Sequence, residues 1–367
     1  MSLARTVLLA AMAFFSQSCF SARYLAQAAR GQAGILAAAR PIPDVIADPA
    51  TPLEARRLLE LVRGVKEWGI EQGLRPTRSY ERYADVRRAA AAWIVQASPA
   101  LSLEPRRWRF PIAGSVPYLG FFDEDAARRY AADLARSEGL DVHVRTASAY
   151  STLGWFRDPV LSTMLRPGDA GPGDLADVVL HESVHATVYV KDQSAFNESL
   201  ASFVADRLTP AWLDTAFGAG SAQARAWAEA QAAGRARAAR LHRAYEDLDA
   251  LYHSPAPGDA KLARKAELLA ALQADLGGSR PLNNAALAGF RTYDTGSGAF
   301  ERLLAAAGGS WRAFLDAVST LQPEDFGRPQ AERFDEAIEK LAARQTLRAG
   351  GPRPPSGTGG KAGPATG

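Results

Sequence analysis

The sequence predicts an α+β fold that is predominantly helical. Apolar residues recur with the 3.6-residue period of a helix over 54–72, and similar stripes mark 241–252 and 262–276. Two prolines and two glycines interrupt the apolar segment 109–122, and residues 143–150 alternate between apolar and polar. We therefore expect long helices accompanied by a small sheet with edge strands.

The first 18 residues are predicted to be a signal peptide. Met1–Arg5 carries one positive charge, and Thr6–Phe15 is an apolar stretch too short to span a bilayer. Cys19, the single cysteine, then stands where bacterial lipoproteins are lipidated. Phe20 rather than an aspartate follows it, which favours an outer-membrane lipoprotein facing the periplasm. The alternative is an ordinary cleaved signal followed by an incidental cysteine.

One folded domain is expected over residues 19–348. Its predicted elements are helices at 24–40, 54–72 and 123–138, irregular edge strands within 109–122 with a turn at Gly114-Ser115, a strand at 143–150, and a last regular element near 330–348. The remainder, 349–367, is rich in glycine and proline and is predicted to be disordered.

Composition and charge exclude one large class of function. The chain has 367 residues, of which 47% are hydrophobic, so it can bury a substantial core. Its formal charge is only +3, and Arg348, Arg353 and Lys361 account for that much. The folded body is therefore close to neutral, which argues against a nucleic-acid binder.

The residues with the clearest chemistry are His181-Glu182-Ser183-Val184-His185, an H-E-x-x-H pattern. Apolar neighbours predict a buried helix around it, with Gly171–Gly173 as a preceding loop, Asp174 as N-cap and an end near Val190. Histidines four residues apart project from one helical face, so both imidazoles can bind one Zn²⁺. Glu182 lies beside them and is predicted to be the general base of a hydrolase.

Glu198 is the predicted third zinc ligand. A second helix is expected over Phe196–Leu208, stopped by Pro210. In a helical hairpin, His185 and Glu198 would lie at nearly the same distance from the turn and face each other. Two histidines and a glutamate leave a coordination position open for water, as catalytic zinc sites do. The alternative is that both histidines are structural residues of a buried helix and Glu182 a surface acid.

Further short segments carry a family resemblance. They are Cys19 with Tyr24–Gln27 and Gly31-Gln32, Phe110–Gly114 with Tyr118, Tyr150–Phe156, Asp158-Pro159, His181–His185 with Tyr189, Phe196–Ser199, Asn283–Ala285 and Tyr293. On these segments the chain, from Cys19 to about Arg348, resembles the bacterial predicted aminopeptidases, a family of zincin-like H-E-x-x-H lipoproteins. The resemblance implies a zincin-like fold with a small edge sheet beside the zinc helix, one Zn²⁺ per chain, peptide substrates and a lipid anchor in the membrane.

The sequence departs from related zincins in one respect. Many of them place an aspartate four residues after the glutamate ligand, where it orients a histidine, but this chain has Ser202 there. Histidine ligands need such a partner to fix the ring. Asp177 and Asp206 are the candidates for this role.

The substrate-binding elements are less well determined by sequence. Either segment 110–121 or segment 143–150 could bind a peptide backbone by strand addition. Tyr150 and Tyr293 are candidate donors to the oxyanion, with Tyr293 preferred as a catalytic residue. For each tyrosine, a packed core aromatic is the alternative.

Together these features predict a zinc-dependent peptidase of the bacterial envelope, with aminopeptidase action implied by the resemblance. The main competing hypothesis is a zinc-bearing but inactive lipoprotein that binds peptides or partner proteins. Retention of Glu182 argues against it, because a binder needs no general base. A metal-free helical lipoprotein is the third hypothesis.

Overall fold

A computed structural model describes residues 3–110, 114–149, 157–278, 281–290 and 296–350. Helix makes up 63% of it, and the sheets are small, so the predicted helix-rich α+β class is confirmed. The helices are α1 (Leu3–Ala38), α2 (Ile42–Ala47), α3 (Leu53–Glu71), α4 (Glu124–Glu138), α5 (Gly171–Thr187), α6 (Ser194–Phe217), α7 (Ala222–His253), α8 (Gly258–Leu276), α9 (Asn284–Leu287), α10 (Ser297–Ala306), α11 (Trp311–Val318) and α12 (Asp335–Gly350). The strands are β1 (Arg40–Pro41), β2 (Arg82–Ala84), β3 (Ala92–Ser98), β4 (Trp108–Phe110), β5 (Gly114–Val116), β6 (Leu119–Phe121), β7 (Asp141–Ala147) and β8 (Val160–Leu161).

The strands described form three small sheets, with orders β1-β2-β8, β6-β3-β7 and β4-β5. The second has β3 at its centre, antiparallel to both neighbours. Its register places Trp93 opposite Phe121 and Thr146, so side chains alternate between two faces. One face packs against α4 through Trp93, Val95 and Leu119. The other face carries Ile94 and the polar side chains considered below.

The main hydrophobic core surrounds a hairpin of α5 and α6. Leu175, Val179, Leu180 and Val184 on α5 are fully buried, so truncating either leucine to alanine should cost about 2–5 kcal/mol. Phe196 on α6 contacts Phe300, Phe326 and Phe334, which belong to the C-terminal part of the chain. The hairpin is thus held from outside by α3 and by the C-terminal elements.

A buried polar latch joins the helical layer α7–α9 to the central sheet. Lys265 on α8 forms an ion pair with Asp141 at the start of β7, with an N–O distance of 2.6 Å. The backbone N–H of Asn284 donates to the same carboxylate, and its side-chain amide donates to the carbonyls of Pro99, Ala100 and Ser102. Because its polar groups are paired with one another, this latch fixes β7 and the end of β3 against the helices.

Several predicted boundaries near the zinc motif are wrong. Gly171–Gly173 are not a loop but the first turn of α5, where Pro172 is tolerated because its missing N–H would be unpaired anyway. Asp174 is therefore not the N-cap, which is Ala170, and it pairs instead with Arg166. The helix ends at Thr187 rather than near Val190.

Pro210 does not stop the second helix. α6 continues through it to Phe217, and Trp212 and Leu213 beyond it are buried. Burial of these large side chains offsets the cost of a proline inside a helix, about 3 kcal/mol, which comes from the lost hydrogen bond and the clash of the ring with the preceding turn.

The strand predictions were partly right. Segment 109–122 forms edge strands, but Gly114 and Ser115 lie in β5, with Gly114 paired to Phe110, so the predicted turn there is wrong. The strand predicted over 143–150 is β7, which starts at Asp141 and ends at Ala147. Strand β3 was not predicted, because its run is buried on both faces and begins in an alanine-rich stretch that lacks clear alternation.

The N-terminal helix α1 runs from the predicted signal peptide into the predicted mature chain and ends before Pro41, as expected. The side chain of Cys19 lies outside what the structure describes, so its lipidation stays a prediction. Within the described ranges, no helix is both long and apolar enough to cross a bilayer.

Candidate metal centre

Helix α5 presents His181 and His185 on the same face. Their ring centroids are 5.0 Å apart, and the ring planes are nearly perpendicular. The opposite face is anchored in the core by fully buried residues such as Ala176 and Val179. The backbone beneath the two histidines is therefore firmly held.

The turn that joins α5 to α6 is fixed by buried amide side chains. Asn197 accepts a hydrogen bond from the Val190 N–H (2.9 Å) and donates one to the Val190 carbonyl (2.8 Å). Gln193 donates to the Arg328 carbonyl (2.8 Å) and accepts from the Ala331 N–H (3.0 Å). These contacts fix the start of α6. They therefore also fix the direction of Glu198, which follows Asn197 in the sequence.

The hairpin brings the carboxylate of Glu198 to both imidazoles. Its two oxygens lie 3.4 Å from His181 Nε2 and 3.5 Å from His185 Nε2. Donor atoms around a tetrahedral Zn²⁺, at about 2.0–2.2 Å from the ion, lie about 3.3–3.6 Å apart. Each of the two distances, made by a different oxygen of the carboxylate, falls within that spacing.

A ligand atom from each of these three side chains lies within 4.8 Å of the others. Among the residues described, no other group of histidine, cysteine or acidic side chains meets this criterion. Two imidazole nitrogens and a carboxylate oxygen are a donor set that suits zinc.

The cluster is closed on the protein side and open on the other. The side chain of His185 is only 5% exposed and that of His181 22%, whereas that of Glu198 is 64% exposed. Any ligand would therefore approach from the Glu198 side.

Electrostatics of the metal-free cluster follow from this geometry. Burial acts to raise the pKa of Glu198, but its hydrogen bond to His181 and the charges of both histidines outweigh that effect, and the net pKa is lowered. Burial acts to lower the pKa of His181, which Glu198 reverses, so this pKa is raised. The pKa of His185 is lowered, chiefly by burial. A neutral His185 is the form that binds metal.

Glu182 is partly buried, and its charge acts on His181 and on Tyr80. Tyr80 is buried, and its pKa lies well above the ordinary value because of burial and the charges of Glu182 and Asp158. Its φ of +63° is in the left-handed region, which a bulky side chain rarely adopts, and its N–H donates to the Asp158 carbonyl at 2.7 Å. Sequence analysis did not identify Tyr80, because it lies about 100 residues from the motif and only the fold brings it there.

Asp177 and Asp206 were the candidates for orienting the histidine rings. Asp177 lies one turn before His181, and each acts on the other's pKa. Burial raises the pKa of Asp177 to about 6, and the charges of Asp206 and Asp174 add to the shift. Within the described part of the chain, neither Asp177 Oδ1 nor His185 Nδ1 has a hydrogen-bond partner.

Two tyrosines lie near the open side of the cluster, and an arginine acts on one of them. Tyr118 and Tyr189 are 45% and 50% exposed, and the ring of Tyr189 lies 6.5 Å from that of His185. Burial of the hydroxyl raises the pKa of Tyr118, the charge of Glu198 raises it further, and Arg145 opposes both. Sequence analysis attached no role to Tyr118 or Arg145, because their proximity depends on the sheet register.

The predicted oxyanion donors Tyr150 and Tyr293 lie outside the described residues, so both remain predictions. The two segments considered for strand addition contain β6 and β7, which are the two edge strands of one sheet. Because both are edge strands, the topology favours neither of them as the strand that binds a peptide.

Comparison with known proteins gives one match. The model of a family described as Putative aminopeptidase matches residues 23–334. No curated protein and no solved structure matches the chain significantly.

Proposed function

Because the chain belongs to the putative aminopeptidase family, we propose that it is a zinc-dependent peptidase with a zincin-like catalytic site. The observation that carries the proposal is the convergence of His181, His185 and Glu198 at distances suited to tetrahedral zinc. The residue types fit the metal, since imidazole and carboxylate are the usual protein ligands of catalytic zinc.

The three side chains would hold the ion through His181 Nε2, His185 Nε2 and a Glu198 oxygen. When bound there, zinc supplies Lewis-acid chemistry, which activates water and polarises a substrate carbonyl. Glu182, next to His181 on the helix, accepts the proton released by the attacking water. It then donates that proton to the leaving amine, which completes peptide hydrolysis.

Glu182 stands in a setting that suits proton transfer. It is partly buried, and buried Tyr80 lies near enough to feel its charge. A carboxylate held in such surroundings has restricted contact with bulk water, which strengthens its interactions with neighbouring groups. Tyr80 is itself held by Asp158, whose carbonyl accepts a hydrogen bond from the Tyr80 N–H.

The protein is further proposed to act in the bacterial envelope as a lipoprotein attached through Cys19. The support is the sequence alone: a short apolar segment at Thr6–Phe15 followed by the single cysteine. A membrane anchor of this kind would hold the catalytic domain beside the outer membrane, with peptides as its substrates.

Metal analysis and turnover test the proposal in sequence. Purified protein should contain about one Zn²⁺ per chain, and His185→Ala should lose it. His253→Ala, an exposed histidine on α7, is the matched control and should keep the metal. Equal zinc in the wild type and His185→Ala would remove His185 from the site.

A mixed peptide library, analysed by mass spectrometry for cut positions, then tests catalysis. Removal of single N-terminal residues would support aminopeptidase action, whereas internal cuts would indicate an endopeptidase. Zinc binding without turnover of any peptide would favour the inactive, peptide-binding lipoprotein instead.

A further inference from the structure

The face of the central sheet that α4 does not cover carries polar side chains beside the buried Ala92 and Ile94. Directly opposed residues of antiparallel strands share a face, so Arg145 on β7 lies on the same face as Ile94 on β3 and Gly120 on β6. Gln96, two residues from Ile94, shares this face and accepts a hydrogen bond from Arg145 Nε at 3.3 Å. Tyr118 stands two residues before Gly120, just outside β6.

Arg145 is exposed and holds a charge that the protein does not neutralise. In the part of the chain that the structure describes, its guanidinium has no carboxylate partner, and Gln96 is its hydrogen-bond acceptor. Other arginines show the contrasting pattern: Arg63 pairs with Glu67, and Arg207 pairs with Glu301. The outer nitrogens of Arg145 can therefore form the two-pronged contact that arginine makes with a carboxylate.

Tyr118 connects this guanidinium to the metal centre. It interacts electrostatically with both Glu198 and Arg145, and with Tyr189, whose ring lies beside His185. Arg145 and the candidate ligand Glu198 thus both lie close enough to Tyr118 for their charges to act on it, and the Glu198 side chain is exposed.

We propose that Arg145 binds the C-terminal carboxylate of a short peptide whose scissile carbonyl lies at the His181–His185–Glu198 cluster. The proposal rests on the proposed peptidase function and names its substrate class: short peptides with a free C-terminus. A cation would repel the substrate's α-amine, so Arg145 belongs on the side of the leaving group. There, only the chain end of a short peptide, or an acidic side chain, brings an anion.

The length of the peptide tests the distance between the metal cluster and Arg145. Each added residue lengthens an extended peptide by about 3.3–3.6 Å, so one length should place its carbonyl at the metal and its carboxylate at Arg145 together. Shorter peptides would not reach, and longer ones would carry the carboxylate past the guanidinium.

The test compares alanine peptides of increasing length, each prepared as free acid and as C-terminal amide. At the best length, kcat/KM of the zinc-loaded wild type should be about 10-fold or more higher for the acid, mainly through KM. Arg145→Met should remove that difference by weakening the acid alone, and Arg145→Lys should restore part of it. Arg109→Met, an exposed arginine on β4, is the control and should leave the ratio unchanged.

A third peptide set, amidated but with glutamate on the leaving side, identifies the source of the carboxylate. If these peptides match the free acids, Arg145 binds a side chain, and the assignment to the C-terminus is overturned. Equal rates for acids and amides in the wild type would overturn the proposal and leave the peptidase function standing.

Binding separates the proposal from the failure of catalysis. Calorimetry with the zinc-loaded Glu182→Gln protein should show tighter binding of free acids than of amides, and Arg145→Met should abolish the preference. Carboxylate-dependent binding without hydrolysis in the wild type would sustain the inference while removing the peptidase function. If the protein showed neither carboxylate-dependent binding nor hydrolysis, the inference would be overturned together with the peptidase function.

Discussion

The side-chain amide of Asn197 accepts a hydrogen bond from the backbone N–H of Val190 at 2.9 Å and donates one to the carbonyl of the same residue at 2.8 Å. Both groups are buried in the turn between α5 and α6, next to the residue that supplies the carboxylate. Aspartate has the same shape as asparagine but can only accept hydrogen bonds when ionised, so the amide is needed to make both bonds. The turn that aligns Glu198 with the histidines therefore depends on a residue that does not itself bind metal.

Replacing Asn197 with alanine should destabilise the protein and loosen its metal centre together. Two buried backbone groups would lose their partners, at about 1–3 kcal/mol each, and α6 could shift relative to α5. Urea unfolding of the metal-free protein measures the first effect, and a zinc competition titration measures the second. Ser199→Ala, one residue beyond the ligand, is the control. Unchanged stability and zinc affinity in Asn197→Ala would show that the turn is held by other contacts.

Glu182→Gln should separate metal binding from chemistry. The glutamine keeps the volume but cannot accept a proton, so the variant should fold and retain zinc while kcat falls by about 10² or more. Glu198→Gln should instead weaken zinc binding, because a neutral amide replaces a charged ligand. Zinc content and single-turnover rates on the same preparations check both. Loss of zinc from Glu182→Gln would make Glu182 part of the metal site rather than the base.

Asp177 should make the stability of the metal-free protein depend on pH. Its pKa is about 6 in the folded protein against an ordinary value of 3.8, so the folded state binds this proton more tightly than the unfolded state. The stabilisation is complete below pH 4 and is lost as pH rises through 6, where the buried carboxylate ionises beside Asp206 and Asp174. At pH 8 the ionised group costs about 2–3 kcal/mol.

Asp177→Asn should therefore stabilise the metal-free protein at pH 8 much more than at pH 4.5. Urea unfolding at the two pH values measures the difference, and Asp214→Asn, an exposed aspartate near the end of α6, is the control. If Asp177 also orients His181, the same variant should bind zinc less tightly while being more stable. An equal change in stability at both pH values would contradict the raised pKa.

Cys19 should determine where the protein is found. Wild-type protein should incorporate a fatty-acid label and sediment with outer membranes, whereas Cys19→Ser should do neither. The variant retains the rest of the predicted signal, so export itself is not expected to fail. An unlabelled wild-type protein in the soluble periplasm would contradict the lipoprotein hypothesis.

Local patterns in the sequence predicted the helices and brought out the candidate metal-binding residues, because both depend on short spacings. The two histidines share a face by periodicity alone, and Glu198 follows from one turn and one helix start. Pro210 misled the prediction, since its local cost is overridden by the burial of Trp212 and Leu213. Propensity cannot weigh packing that distant residues supply.

The remainder of the site depends on long-range contacts. Tyr80 approaches Glu182 from a segment about 100 residues earlier, and Arg145 approaches Tyr118 only through the register of β7, β3 and β6. A shift of one residue in that register would turn Arg145 to the opposite face. Because β3, which pairs with both β6 and β7, was not predicted, the proximity of Arg145 and Tyr118 could not be predicted from sequence.

Gln193 has a consequence for the biosynthesis of this chain. Its side chain is fastened to the backbone at Arg328 and Ala331, and the Gln330 N–H donates to the neighbouring Asp192 carbonyl at 2.6 Å. A ribosome completes residues 328–331 more than 130 residues after it has made Gln193. Nascent or prematurely terminated chains therefore carry all three candidate ligands without these contacts to the C-terminal part of the chain. The turn before Glu198 is fully held only once the chain has been made past residue 331.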